Sequence, residues 1–230
     1  MVDECILPAG RDNWYRSNDW NPEIETAFLR KLSRARCQRD QYLALQISHL
    51  ASSCPTDCIR LSELYFETRK KDWNDGTVHM AKAQAFGVLG QIDSVLAAYQ
   101  TALEWQGQHP NHHVRVDLEY PHFVAVSRLI KEYPKATEVL AEAKFLLLPA
   151  DIYKFHAANA VFSDARGDSA HARDHAMKAV RAQGLKHSGF RYHPVAGLVQ
   201  NPDERLSKWL NRKVHGGLFA KLTSLWPTAS

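Results

Sequence analysis

Apolar residues recur along this chain at intervals of three and four positions, the spacing of one face of an α-helix. The first such stretch follows Asn21 and Pro22. Its apolar positions are Ile24, Ala27, Phe28, Leu32 and Ala35. Asparagine is a favoured N-cap and proline a favoured first helical residue. The pattern therefore predicts a helix that begins at residue 22.

Two further helices are predicted on either side of Pro55. The first runs from about residue 40 to residue 51, and Pro55 is expected to close it. Thr56 or Asp57 is expected to cap the next helix. The apolar positions of that helix are Ile59, Leu61, Leu64, Tyr65 and Phe66.

Two segments show a helix, a turn with a glycine and a second helix. In residues 78–110 the first pattern ends at Leu89 and Gly90, and the second starts at Asp93. Residues 151–183 repeat this arrangement around Gly167. The positions at matching offsets after each glycine are Val95, Tyr99 and Ala102 in one segment and Ala172, Ala176 and Ala179 in the other. These shared offsets indicate a repeated helix pair.

These segments resemble the tetratricopeptide repeat. The family's small residue in the first helix, its aromatic residue three positions later and its turn glycine are matched by Ala83, Phe86 and Gly90. The resemblance implies an all-α fold, a right-handed α–α superhelix of helix pairs. It also implies that the first helix of each pair lines a concave surface.

Two looser pairs complete the predicted array. They occupy residues 40–70, which turn at Cys54 and Pro55, and residues 120–148, which turn at Tyr133 and Pro134. The inner positions predicted for the later pair are Val139, Ala143 and Leu146. Successive second helices recur at intervals that scatter around the family's period of 34 residues.

The chain is therefore predicted to have three parts. Residues 1–39 are an N-terminal segment with the first helix, residues 40–183 are the repeats, and residues 184–230 are a loop followed by a C-terminal capping helix. Asp203 is expected to cap that helix. Its apolar residues are Leu206, Trp209, Leu210, Leu218, Phe219, Leu222, Leu225 and Trp226. A repeat array needs such a terminal unit to end its stack.

Composition narrows the function classes. The low counts of glycine (11) and proline (10) favour long helices over an all-β fold. The net charge of +4 is dispersed among acids, which argues against a nucleic-acid-binding stripe. Residues 1–10 lack the apolar stretch of a secretory signal, and no apolar run is long enough to cross a bilayer. We therefore expect a cytoplasmic protein without a membrane segment.

The sequence contains few candidates for a catalytic or metal-binding site. The sequence contains neither a glycine-rich phosphate loop nor a GxSxG elbow. His171 and His175 share a helix face but lack the glutamate of a zinc protease, so we interpret them as a solvent-facing polar pair. Cys54 and Cys58 are interpreted as buried structural thiols, and Cys37 is interpreted as a boundary cysteine at the end of a helix. We expect no catalytic residue, metal or cofactor.

The sequence is best interpreted as a non-enzymatic protein–protein interaction module. Carried over by offset from the repeat family, the groove positions are Met80, Gln84, Val88, Lys154, Ala157, Val161 and Asp164. The candidate contacts outside the groove are Trp14, Tyr15 and Arg16 in the leading segment and Arg191, Tyr192 and His193 in the late loop. The leading aromatic residues have a second interpretation, in which they fold back and seal the first helix pair.

The expected partner is another protein or peptide. Bacterial adaptors, secretion chaperones and immunity proteins that neutralise a toxin have this build, whereas the lysine, asparagine and arginine clamp that binds chaperone tails is not reproduced. Two alternatives stay open. One is a metal-dependent or Cys/His enzyme whose site is built from scattered histidines, and the other is an RNA-binding helical repeat.

Overall fold

A computed structural model describes residues 13–223, with only the helical backbone described for residues 217–223. Within that range the chain forms ten α-helices and one short 3₁₀ turn, with no β-strand. The predicted all-α class is therefore confirmed. None of the described helices combines the length and the apolar character needed to cross a bilayer.

The helix bounds follow the sequence pattern closely in most of the chain. They are α1 (Pro22–Arg34), α2 (Arg39–Leu50), α3 (Pro55–Thr68), α4 (Asp75–Val88), α5 (Ile92–Gln108), α6 (Val116–Val126), α7 (Tyr133–Ala141), α8 (Pro149–Ala165), α9 (Ser169–Gln183) and α10 (Glu204–Thr223). The 3₁₀ turn, Ile130–Glu132, directly precedes α7.

The chain divides into two compact units between Val116 and Asp117. The first unit contains α1 to α5, and the second contains all but the first residue of α6 together with α7 to α10. This boundary lies inside the stretch predicted as repeats, and the predicted division into three parts stays a prediction.

The predicted start of α1 is confirmed, whereas the predicted role of Pro55 is wrong. The side chain of Asn21 accepts a hydrogen bond of 2.9 Å from the backbone nitrogen of Ile24. Helix α2 ends at Leu50, and Pro55 is the first residue of α3. Cys54 takes the N-cap position that we assigned to Thr56 or Asp57. Proline suits the first helical position because the N–H it lacks would have no intrahelical partner there.

In the first unit, α2, α3 and α4 share one apolar core. Its fully buried members include Leu43, Ile47, Leu50, Leu61, Tyr65 and Val78. The buried carboxylate of Asp75, at the start of α4, accepts a hydrogen bond of 2.9 Å from the Tyr65 hydroxyl and lies 2.8 Å from Nε of Arg69. Both partners belong to α3 or its C-cap, so this network ties α3 to α4.

Two helical hairpins form where the repeated pattern predicted them. Gly90 joins α4 to α5 with φ +71°, and Gly167 joins α8 to α9 with φ +78°. Glycine is favoured in both turns because other residues rarely adopt positive φ. After Gly167, the predicted inner positions Ala172, Ala176 and Ala179 are all fully buried. Small side chains let α8 and α9 approach closely, as the pattern indicated.

The pair predicted over residues 120–148 differs from the structure in register. Helix α7 ends at Ala141, and residues 142–148 are not helical. The buried positions of α7 are Ala136 and Leu140 instead of Val139, Ala143 and Leu146, which are only partly buried. Pro149 begins α8, and because proline disfavours helical backbone at the residue before it, Leu148 is extended.

The second unit is completed by α10, which packs against α9 and α8. Its predicted cap is confirmed, because the Asp203 side chain accepts a hydrogen bond of 2.7 Å from the backbone nitrogen of Leu206. Leu206 and Leu210 are buried, and Trp209 is partly buried. The other apolar residues assigned to this cap lie at positions 218–226, outside the described side chains.

Replacing Ala176 by leucine should destabilise the chain by about 1–3 kcal/mol, because the extra methylene and methyl groups would be forced into the contact between α8 and α9. The free energy of unfolding, from urea denaturation followed by circular dichroism, measures this change. Ala170→Leu on the exposed first turn of α9 is the matched control. Equal stability of the two variants would contradict the close-packed interface.

Candidate functional site

Several exposed apolar side chains of the second unit lie in the connection between α9 and α10. We call residues 184–203 the α9–α10 loop. Tyr192 is 79% exposed and Val195 is 65% exposed, and Phe190 is also exposed. Burying such side chains against a partner is favourable, at about 25 cal/mol for each Å² of apolar surface. These residues form a candidate interaction site.

The tip of the α9–α10 loop is closed by its own hydrogen bonds. The backbone nitrogen of Ser188 donates to the carbonyl of Pro194 at 2.7 Å. The Ser188 hydroxyl donates to the carbonyl of His193 at 2.7 Å and accepts from the backbone nitrogen of Phe190 at 3.2 Å. The exposed side chains are therefore carried on a turn of defined shape.

The base of the α9–α10 loop is attached to the start of α8. The backbone nitrogen of Ala150 donates to the carbonyl of Gly197 at 2.8 Å. Gly197 has φ +62°, and a Cβ atom added there would lie 2.6 Å from Cβ of Leu148. Only glycine fits both the backbone conformation and the space. This contact holds the loop against the segment that precedes α8.

The α9–α10 loop carries positive charge next to its aromatic residues. Between residues 184 and 202, Lys186 and Arg191 occur without an aspartate or a glutamate, and His187 and His193 add two imidazoles. The guanidinium carbon of Arg191 lies 5.4 Å from the centre of the Tyr192 ring. Aromatic and arginine side chains together are the residue types enriched in binding hot spots.

A second exposed apolar segment precedes α8. Leu147 is 66% exposed and Phe145 is also exposed. The segment connects to the α9–α10 loop through the contact between Leu148 and Gly197. The sequence pattern missed this surface, because Leu146 was assigned to the interior of a helix.

The candidate contact residues of the α9–α10 loop differ in their surroundings from those of the leading segment. Arg191, Tyr192 and His193 are all exposed, as a contact surface requires. In the leading segment, the Trp14 ring lies 5.4 Å from Phe28, and the Tyr15 ring lies 4.6 Å from Tyr42 between centroids. Further contacts join Trp14 to Tyr42 and Trp20 to Phe28.

The fold-back interpretation of the leading segment is confirmed by these ring contacts. Gln46 of α2 strengthens the attachment: its Nε2 donates to the Ser17 carbonyl at 2.7 Å, and its Oε1 accepts from the Ser17 nitrogen at 3.1 Å. Trp14 and Tyr15 are partly buried against the core of the first unit, and Arg16 is exposed with its guanidinium over the Tyr15 ring.

The groove positions on α4 are accessible in part. Met80 is partly buried, whereas Gln84 and Val88 are exposed. The side-chain nitrogen of Gln84 donates to the Ser52 hydroxyl at 2.6 Å. These three residues remain candidates for a contact surface of the first unit.

The groove positions predicted on α8 need correction. Ala157 and Val161 are buried, so neither can contact a partner. The reason is that α8 is buried around most of its circumference, since Ala158, Ala160 and Phe162 are buried as well. Lys154 pairs with Glu119 of α6, and Asp164 pairs with Lys213 of α10, so the charges at both positions are used inside the second unit.

The predicted histidine pair of α9 is split by the structure. His171 is exposed, as expected, and its Nδ1 lies 2.7 Å from the carboxylate of Asp168 at the helix N-cap. The prediction that His175 faces solvent is wrong. It is partly buried, and its Nδ1 lies 2.8 Å from Nδ1 of His156 on α8. The partner of His175 lies on the other helix of the hairpin. The i, i+4 spacing relates residues of one helix only, so it could not predict this contact.

The described cysteines have different surroundings. Cys58 is buried as predicted, and burial raises the pKa of its thiol to about 12, which disfavours the reactive thiolate. Cys54 is partly buried, and Cys37 is exposed in the bend between α1 and α2, at the helix boundary predicted for it. Among the described side chains, no three ligand residues are arranged to hold a metal ion.

A partly buried histidine with an inaccessible ring nitrogen lies on α6 in the second unit. Nε2 of His122 on α6 is inaccessible to solvent and has no hydrogen-bond partner, and its ring centre lies 5.7 Å from that of Tyr153. Burial, with a smaller effect from the charge of Lys154, lowers the pKa of His122 to about 3. The folded second unit therefore contains neutral His122 at physiological pH.

Gly197→Ala should weaken the attachment of the α9–α10 loop and destabilise the chain by more than about 1 kcal/mol, since it adds strain at positive φ and a clash with Leu148. Gly189→Ala is a matched control, because Gly189 has φ +91° with no atom within 4 Å of an added Cβ. Hydrogen exchange at the Ala150 amide measures the attachment. Equal exchange rates in the two variants would contradict the proposed role of Gly197.

Lowering the pH should destabilise the chain through His122. Its folded pKa lies below the unfolded value near 6.5, so the unfolded chain binds the proton first. The free energy of unfolding should fall as the pH drops from about 6.5 towards 3, by at most about 1.4 kcal/mol for each pH unit. His122→Phe should flatten this fall in urea denaturation, whereas the exposed control His171→Gln should not. If the free energy of unfolding falls equally with pH in wild type and His122→Phe, His122 is not the cause of the fall.

Comparison with known proteins finds no family model, curated protein or solved structure that matches the chain.

Proposed function

We propose that this chain is a non-enzymatic protein–protein interaction module whose main contact surface is the α9–α10 loop. The observation that carries the proposal is an exposed set of aromatic and cationic side chains on a loop fixed at both its tip and its base. A loop held in its binding conformation loses less entropy on binding than a mobile one. Exposed aromatic side chains gain most of their burial energy only when a partner covers them.

The proposal includes a repeat-like architecture for the chain. Two hairpins share the turn glycine and the inner positions that resemble the tetratricopeptide repeat, and a right-handed superhelix is the arrangement which that resemblance implies. Adaptors, secretion chaperones and toxin-neutralising immunity proteins are the classes of interaction protein to which we assign the chain. This step rests on analogy of build, since a fold does not determine a function.

The α9–α10 loop is favoured over the predicted groove for a structural reason. On α8 two groove positions are buried and two are engaged in ion pairs inside the second unit. The exposed residues Gln84 and Val88 on α4 remain the competing surface. A test must therefore compare the two surfaces directly.

Affinity capture from the native cell lysate, with quantitative mass spectrometry, compares the two surfaces. The double variant Phe190→Ala/Tyr192→Ala should lower recovery of the partner at least about tenfold, the effect of losing roughly 1.4 kcal/mol of binding free energy. The double variant Gln84→Ala/Val88→Ala should recover the partner as the wild type does.

Each other outcome contradicts a defined part of the proposal. Loss of the partner in the α4 variant alone would move the site to the groove. Full recovery in both variants would exclude both surfaces. Failure of the wild-type chain to retain any protein above a tag-only control would contradict the interaction function itself.

A further inference from the structure

The interface between α8 and α9 contains two histidines in an unusual arrangement. Nδ1 of His156 on α8 lies 2.8 Å from Nδ1 of His175 on α9, and the ring centres are 5.0 Å apart. At this distance one ring donates its proton and the other accepts it. Both rings are partly buried, so the pair has a defined geometry and retains access to solvent.

We propose that His156 and His175 form a two-imidazole binding site for a divalent transition-metal ion, Cu²⁺ in preference to Zn²⁺. The ion would bind the two Nδ1 atoms of neutral imidazoles, and the ring that now donates from Nδ1 would carry its proton on Nε2 instead. Neutral imidazole is a good ligand for both metals. This site is independent of the proposed interaction function, because it involves neither the α9–α10 loop nor α4.

The separation of the two nitrogens favours Cu²⁺. With metal–nitrogen bonds of about 2.0 Å, two atoms 2.8 Å apart subtend about 90° at the ion. That is the angle between neighbouring ligands in the tetragonal sites of Cu²⁺. A tetrahedral Zn²⁺ site needs the nitrogens about 3.3 Å apart at the same bond length. The affinity order of divalent metals also places Cu²⁺ above Zn²⁺.

The surrounding charges set the strength of the site. Asp174, next to His175, is the nearby acid, and its carboxylate lies 2.7 Å from Nζ of Lys178. Lys178 and Arg166 contribute positive charge near His175. No third ligand side chain joins the pair among the described residues, so water would complete the coordination. We therefore expect an exchangeable site.

Titration of the metal-free full chain with CuCl₂ at pH 7 tests the proposal. Binding is followed by electron paramagnetic resonance and by competition with glycine. The wild type should bind one Cu²⁺ equivalent at least about tenfold more tightly than His156→Gln or His175→Gln, given the sensitivity of metal sites to their ligand shells. His171→Gln, one turn earlier on α9, is the matched control and should bind as the wild type does. Zn²⁺ should compete more weakly than Cu²⁺.

A second measurement avoids reliance on variants that fail to fold. Substoichiometric Cu²⁺ should broaden the imidazole proton resonances of His156 and His175 in the wild-type chain before those of other histidines. Broadening that begins at His112 and His113, exposed neighbours in the first unit, would overturn the proposal. Equal Cu²⁺ affinity of the wild type and both folded glutamine variants would also overturn it.

Discussion

The second unit depends on the close approach of α8 and α9. Ala172, Ala176 and Ala179 are fully buried on α9, and Ala157 and Ala160 are fully buried on α8. Alanine loses no side-chain entropy on burial, and it allows two helix backbones to pack at short distance. The same small side chains bury little apolar area per residue. The larger buried groups come from Tyr153 and Phe162 of α8 and from Leu206 and Leu210 of α10.

Local signals explain how much of this fold is predictable. A turn glycine and the residues that follow it act within one hairpin, so both hairpins were placed correctly, as was the start of α1 at Pro22. The register of α7 failed because an apolar run was extended through residues 142–148 towards Pro149. Apolar periodicity favoured a helix there, whereas α7 ends at Ala141.

Local sequence signals predict only part of the candidate site. Composition predicted Arg191 and Tyr192 as contact residues, but the attachment of their loop depends on the contact of Gly197 with Leu148, which is distant in sequence. Ala157 was misplaced because its offset was taken from a family in which the first helix keeps one face open. In this chain α8 is buried around most of its circumference, and no single residue signals that difference.

The geometry of the His156–His175 pair follows from the same helix contact. Each imidazole is attached to a helix whose position is fixed by alanine packing, so the distance between the two Nδ1 atoms is set by the interface and not by the side chains alone. A longer side chain at Ala172 or Ala176 would separate the helices and widen that distance. In the proposed metal site, the preference for one coordination geometry would follow from this close packing. A binding property can therefore depend on residues that touch no ligand, as stability does.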